Sequence, residues 1–327
     1  LRRRALNIIP VCLSIGTAVD PICHTLVGAA LAHSGLKRWS ARATATLVIA
    51  ANLPDVDIIA IALGRNLEIR RGITHGVPAL VLWPFVLAML MVWWHRRRPG
   101  AEPARFWPLA GLAAIGVLSH SFLDFLNNYG MRWLMPVADR WFYGDSLFIV
   151  DPWLYLALGA GAFLSWRAHR AQRPDPTRPA RVGLAAATIY VGGMIGATQL
   201  ARAGVAREVA ATPLAGARFM ATAVPVDPLV KEVVIDAGAA YHLGRYRLIR
   251  TPHLSIDTVV EKGTEHAASA ARFRQTPAGA AFFHWSRFPV LEAIDGGRIR
   301  VFDLRYGRGA RSWATLDFTP TGAVASP

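Results

Sequence analysis

Cysteine is nearly absent, with only Cys12 and Cys23 in 327 residues. One bridge is the most they allow, so neither a disulfide scaffold nor a cysteine-based zinc site is supported. Acidic residues are also scarce, 21 against 36 basic ones, for a net charge of +15. Charged residues of both signs reach only 17%, below the roughly 25% of an ordinary soluble domain. There is no internal repeat, and no biased tract beyond a Pro/Arg linker at 173–181. What is plentiful is apolar: 53% of residues are hydrophobic and the mean hydropathy is positive. A membrane protein is the default reading. The cations sit in short runs beside apolar stretches, as in Arg96-Arg97-Arg98 and from Arg167 to Arg181, which is the pattern of membrane flanks, so nucleic-acid binding is not expected.

The chain begins at Leu1. Residues 1–19 read as a basic and then apolar stretch without an obvious cleavage site: a signal-like segment, a first helix, or, as favoured here, an extension ahead of a start near Val19. Beyond Asp20, apolar stretches recur near 22–36, 43–63, 76–94, 107–127, 148–166 and 182–200. Most are long enough to cross about 30 Å of hydrocarbon as helices. The expected architecture is a mainly α, polytopic bundle of about six spans over 20–200. A small β-rich or α+β domain over 201–327 follows, read from β-branched, alternating runs such as Val233-Val234-Ile235 and Arg298-Ile-Arg-Val-Phe302. Connections 37–42, 95–106 and 167–181 carry twelve cations, and 64–75 and 128–147 carry five. The richer loops are assigned to the cytoplasm, which places the C-terminal domain on the outer side.

Two carboxylates interrupt the second stretch, in Asn52-Leu-Pro54-Asp55-Val-Asp57. An ionised Asp near a bilayer centre costs at least about 2.5 kcal/mol, so each needs a cation, hydrogen bonds or water. Asp55 and Asp57 can face one site only if Pro54 or local unwinding re-aims the backbone, with Asn52 as a candidate cap. The assigned topology brings other polar breaks to the same outer face: His24 in the first stretch, Thr74-His75 opening the third, His120 and Asp124 ending the fourth. His120 and Asp124 are i and i+4, on one helical face that Asn127 continues. His24, Asp55, Asp57, His75, His120 and Asp124 together form a candidate metal site. A His/Asp set without Cys suits zinc or manganese and is typical of hydrolytic centres. Asp145 and Asp151 border a loop and are as ready to cap or pair as to ligate; an Asp could also pair with Arg71. Asp20-Pro21 reads as a helix start. Trp93, Trp94, Trp107, Trp133 and Trp141 read as an interfacial belt.

Asp20-Pro-Ile-Cys-His24-Thr-Leu-Val-Gly28, Asn52-Leu-Pro-Asp-Val-Asp57, Arg71-Gly-Ile-Thr-His75 and His120-Ser-Phe-Leu-Asp124 occur in that order. They resemble the motifs of the YdjM-like bacterial inner-membrane proteins, also called LexA-binding inner membrane-associated hydrolases. The later Tyr143-Gly-Asp145-Ser-Leu-Phe-Ile-Val-Asp151-Pro-Trp153 and His284-Trp-Ser-Arg287-Phe-Pro289 resemble segments of longer members. The resemblance implies a membrane-embedded hydrolase with His and Asp metal ligands, akin in ligand chemistry to zinc-dependent phospholipase C. Two positions depart from it: Cys23 replaces a Thr, and Arg70 stands where many members carry a further His.

These readings predict a metal-dependent hydrolase acting on a phosphoester of lipid or an amphipathic small molecule. Asp57 would take the proton from water and Arg71 would stabilise charge on the ester. The site would open to the outer side of the inner membrane. The rivals are an ion- or proton-coupled transporter and a non-catalytic scaffold with a structural metal.

Overall fold

The computed structural model describes residues 20–62, 65–97, 100, 102–249, 251–308, 312 and 314–324. The expectations for 1–19, including a start near Val19, lie outside the described residues.

Helix α1 (Pro21–His33) starts where Asp20 accepts from the Cys23 N–H at 2.9 Å and Pro21 takes the first helical position, the start expected of Asp-Pro. Helix α2 (Ala43–Ala50) stops where Pro54 cannot supply a backbone N–H. The chain tightens into a 3-10 helix, Leu53–Ile58, and continues as α3 (Ile59–Ala62), so the second apolar stretch bends by 48°. Asn52 does not cap the restart. Its Nδ2 donates to the Val48 carbonyl at 2.8 Å and to Thr25 Oγ1 at 3.1 Å, covering part of the backbone left open by the break. A short α4 (Asn66–Ile69) and a 3-10 turn, Ile73–His75, lead into α5 (Val77–Arg97). Helix α6 (Phe106–Leu126) follows, then an irregular segment to α7 (Pro152–Arg170) and the 33-residue α8 (Arg178–Ala210).

The helical part has two apolar cores. One joins α2, α5 and α6 around Leu47, Leu87, Leu109 and Leu112; the other joins α1, α7, α8 and the end of α6 around Val27, Leu158 and Met194. Small residues set the spacing. A Cβ on Gly28 would stand 2.8 Å from the Leu47 carbonyl oxygen, and one on Gly116 would stand 2.6 Å from the Ala50 Cβ. Helix α2 is therefore gripped between α1 and α6 at van der Waals distance of its backbone, as in membrane helix packing.

Six crossing helices were expected, and the count is lower. Among the described residues three helices are long and apolar enough to cross a membrane, α5, α6 and α8, or four if the bent α2–α3 pair counts as one. Helix α1 has only 13 residues, too few for about 30 Å of hydrocarbon, and the end of α7 carries Arg167, His169 and Arg170. Helix α8 continues unbroken past residue 200 to Ala210, at 1.5 Å per residue a rod of about 50 Å.

The C-terminal part is α+β. Strands β1 (Phe219–Ala223), β2 (Val230–Asp236), β3 (Ala240–Arg247) and β4 (His253–Glu261) form an antiparallel meander in sequential order. Short helices α9 (Ala267–Phe273) and α10 (Pro277–Trp285) precede a second sheet, β5 (Pro289–Ile294), β6 (Arg298–Asp303) and β7 (Thr315–Phe318). This part packs on the segment after α6: Tyr129 and Trp141 share a core with Phe273, Phe282 and Trp285. Arg305, buried and paired with Asp303 at 2.9 Å, reaches the Asn128 carbonyl at 2.6 Å. The tryptophan belt is accordingly incomplete. Trp93 and Trp107 are exposed, but Trp141 is buried beneath Arg132, and Trp133 packs on the α2/α5/α6 core.

Candidate metal centre

Five of the expected ligands meet where α1, the Leu53–Ile58 turn, the Ile73–His75 turn and α6 come together. One ligand atom each from His24, Asp55, His120 and Asp124 lies within 4.8 Å of the others. His75 belongs with them by distance: its Nε2 stands 3.2 Å from His120 Nε2, 3.6 Å from Asp55 Oδ1 and 3.6 Å from Asp124 Oδ2. His120 Nε2 is 3.8 Å from Asp55 Oδ1 and 3.4 Å from Asp124 Oδ2. Ligand bonds of about 2.1 Å at tetrahedral angles separate ligand atoms by roughly 3.4 Å. Those five separations, 3.2 to 3.8 Å, bracket that value. His24 approaches from one side, its Nε2 3.4 Å from Asp124 Oδ1 and its ring centroid 3.9 Å from that of His120.

Hydrogen bonds assign the tautomers. His120 Nδ1 lies 2.8 Å from the Ala51 carbonyl, an acceptor only, so Nδ1 carries the proton and Nε2 presents a lone pair. His75 Nδ1 faces Asp57 Oδ2 at 3.3 Å and Thr74 Oγ1 at 3.0 Å, which directs the same assignment. Two lone-pair nitrogens 3.2 Å apart repel unless a proton or cation lies between them. Beside them Asp55 Oδ1 and Oδ2 and Asp124 Oδ2 are buried with no hydrogen-bond donor among the described residues. Buried carboxylate oxygens in that condition call for positive charge. The residues therefore fit a divalent ion, and the mixed imidazole and carboxylate set is one that zinc or manganese accepts.

Asp57 does not join this group. Its Oδ2 accepts from the Arg71 N–H at 2.7 Å and from Thr74 Oγ1 at 2.9 Å, and Arg70 Nε lies 3.1 Å from Oδ1. The 3-10 turn sends the two carboxylates in different directions, Asp55 into the cluster and Asp57 behind His75. Arg70, named in the sequence only as a missing ligand, is a buried counter-ion to Asp57, with Asp55 at 3.8 Å.

Arg71 reaches across to the end of α6. Nη2 bonds Asp124 Oδ1 at 2.9 Å, Nη1 bonds Asn127 Oδ1 at 3.0 Å and the Gly130 carbonyl at 3.2 Å, and the guanidinium lies over the Tyr129 ring. The Arg71–Asp pairing open in the sequence is thus made with Asp124. Asp145 pairs with Arg202 and Arg287, and Asp151 caps α7; neither enters the cluster.

A small cavity of about 20 Å³ adjoins the centre, with Asp20, Cys23, His24, Arg71, Asp124 and Asn127 on its polar side and Leu123, Leu147, Phe148, Ile149 and Leu154 on its apolar side. Cys23 is a free, buried thiol. Two residues at this rim went unnoticed in the sequence: Tyr155 donates to Asp20, and Tyr190 donates to Asp151 at 2.9 Å. The signal was the repeated Asp-Pro start of α1 and α7, whose carboxylates each needed a further donor.

Residues 19–201 match the family model described as YdjM inner membrane protein. The chain belongs to the YdjM family. The match covers more than half of the sequence and contains every residue of the cluster. With the apolar helices, it makes this YdjM-family chain a membrane protein. An uncharacterized protein of Bacillus subtilis (strain 168), YfhP, is 27% identical over 106 residues, which are 32% of this chain and 31% of that protein. The chain thus matches under a third of that relative's length. No solved structure matches.

Proposed function

We propose that this YdjM-family protein is a metal-dependent hydrolase of the bacterial inner membrane, acting on a phosphoester of lipid or a similar amphipathic molecule from the outer, periplasmic side. The observation that carries the reading is the convergence of two imidazole lone pairs, His75 Nε2 and His120 Nε2, on donor-less oxygens of Asp55 and Asp124. Asp55, His75, His120 and Asp124 would hold the ion, zinc or manganese, with His24 at its margin. When bound, such an ion supplies Lewis acidity and lowers the pKa of water from 15.7 toward about 7.

The chain's own groups divide the remaining work. Asp57 orients His75 through Nδ1–H rather than acting as the base, because its lone pairs are directed at Arg71, Thr74 and Arg70. Asp55 Oδ2, buried with no donor among the described residues, is placed to receive the proton from water. Arg71 lines the cavity, its Nε–H without an acceptor among the described residues, and serves the developing charge on the ester. The lining, polar on one side and apolar on the other, matches the two ends of an amphiphile, although a cavity of this size must widen to hold one. The loop-charge asymmetry supports the outward orientation.

The test is elemental analysis of the purified protein together with turnover of a phosphodiester panel in detergent. Stoichiometric zinc or manganese is expected, with metal and turnover both lost in His120→Ala and Asp124→Ala. Protein without stoichiometric metal, whose variants behave as the parent does, would overturn the reading.

A further inference from the structure

Two motifs supply no residue to the His/Asp cluster, the run from Tyr143 to Trp153 and the run His284-Trp-Ser-Arg287-Phe-Pro289. In the fold they meet. Arg287 Nη1 lies 2.7 Å and 3.0 Å from the two carboxylate oxygens of Asp145, and its guanidinium sits 4.5 Å over the Tyr143 ring. The Tyr143 hydroxyl donates to the Trp285 carbonyl at 2.9 Å. From α8, Arg202 Nη2 donates to Asp145 Oδ2 at 2.9 Å. Asp145 is buried, whereas the Arg287 and Arg202 side chains keep 22% and 31% of their surface exposed.

Asp145 is also a backbone joint. It holds φ at +55°, a left-handed conformation uncommon outside glycine, and its carbonyl accepts from the Ala223 N–H of β1 at 3.3 Å. The next two N–H groups, of Ser146 and Leu147, donate to the Leu126 carbonyl at the end of α6 at 2.7 and 2.9 Å. From that anchor the chain runs through Leu147, Phe148 and Ile149, the apolar wall of the cavity, to the Asp151 cap of α7. The cavity, at about 20 Å³, has room for about one water molecule. An ester substrate needs more room than that, so part of the lining must move to admit one, and the Leu147–Ile149 run is one side of it.

We propose that the Arg287–Asp145–Arg202 ion triad is a latch through which the C-terminal domain holds the Leu147–Ile149 wall closed over the metal pocket. Asp145, Arg287 and Arg202 are positioning residues for that wall. The identity of what enters rests on the hydrolase reading; the latch itself does not. Because the Arg287 and Arg202 side chains keep part of their surface exposed, the triad is open to competition by salt and by anions wherever water reaches them.

Cys23, on the cavity wall and 5% exposed, reports the state of the wall. The full chain carrying Cys12→Ser is treated with a small maleimide in detergent, and the rate at Cys23 is followed by mass spectrometry, alongside metal content and the thermal midpoint. Slow labelling is expected in that parent, at least tenfold faster labelling in Arg287→Ala, and an intermediate rate in Arg287→Lys. Arg300→Ala, which breaks the Arg300–Asp317 pair between β6 and β7, is expected to label at the parental rate. An Arg287→Ala rate equal to the parent's overturns the latch. So does equal acceleration by Arg300→Ala, which would mean general loosening of the domain. Neither readout uses turnover, so a failed latch leaves the hydrolase reading standing, and an inactive protein can still show the latch.

Discussion

Replacing Asp57 by Asn separates an orienting carboxylate from a ligating one. In the protein Asp57 Oδ2 accepts from the Arg71 N–H and Thr74 Oγ1 and faces His75 Nδ1, while Oδ1 faces Arg70. A carboxamide has one acceptor oxygen, so its NH2 must turn toward either His75 Nδ1–H or Arg70, setting donor against donor. Loss of such a partner behind a metal-bound imidazole typically costs 10- to 100-fold in metal affinity, or about 1.4–2.7 kcal/mol. The assay is zinc titration of the detergent-solubilised protein against a chelator of known affinity. Asp57→Asn should fall in that range, and Asp124→Ala, which removes a ligand, should lose more. Equal losses would make Asp57 a ligand, and unchanged affinity would deny it any orienting role; either result refutes the argument. Folding needs its own control, because the substitution leaves the buried Arg70 with only Asp55, 3.8 Å away. Breaking a buried ion pair from one side costs about 3–5 kcal/mol. Adding Arg70→Gln should restore thermal stability without restoring the metal affinity.

Gly116→Ala should lower the thermal midpoint by the equivalent of about 1–3 kcal/mol and weaken metal retention together, since the new Cβ would meet Ala50 Cβ at 2.6 Å and Ala51 N at 3.0 Å, one turn from His120. Differential scanning fluorimetry with elemental analysis checks both. Lys231→Met should stabilise the protein at pH 7 by up to about 3 kcal/mol. Burial pushes the Lys231 ammonium down to about 8, against a smaller upward pull from the Asp151 carboxylate, and Nζ contacts Met194 Sδ at 4.0 Å. Between about pH 10.4 and 8 the unfolded chain binds this proton more readily than the folded one, so stability falls as pH descends through that window and levels off below it. The advantage of Met over Lys should therefore shrink above pH 8 and vanish near pH 10.4, as read from unfolding midpoints.

Polar residues that break apolar stretches were the readable part of the site. A carboxylate or imidazole inside hydrocarbon is costly enough that its position alone marks it, which is why His24, Asp55, His75, His120 and Asp124 could be named before their geometry. The division of labour between Asp55 and Asp57 was not readable. It depends on how far the backbone turns after Pro54, and a 3-10 turn separates two side chains that spacing alone leaves equivalent. Nor was the Ala51 carbonyl, because a backbone acceptor has no letter of its own, although Pro54 nearby signals that carbonyls before it are released. Six spans are not clearly found among the described residues, for a related reason. Stretches such as 22–36 are apolar because they are buried against α2, α7 and α8, and burial in protein reads like burial in lipid. The α+β character of the C-terminal part was legible from alternating β-branched runs, but its packing on Tyr129 and Trp141 joins residues more than 100 positions apart and leaves no local trace.

The bond from His120 to the Ala51 carbonyl has a consequence for inheritance. Its acceptor belongs to the main chain, so a change of side chain at position 51 does not remove the acceptor atom that fixes the His120 tautomer. The vulnerability is displaced three residues along, to Pro54, which has no N–H to close a 3-10 turn on that carbonyl, while the Asp55 N–H donates to the Asn52 carbonyl at 3.2 Å instead. A proline whose ring makes no bond to His120 thus helps to keep free the carbonyl that selects which nitrogen His120 offers.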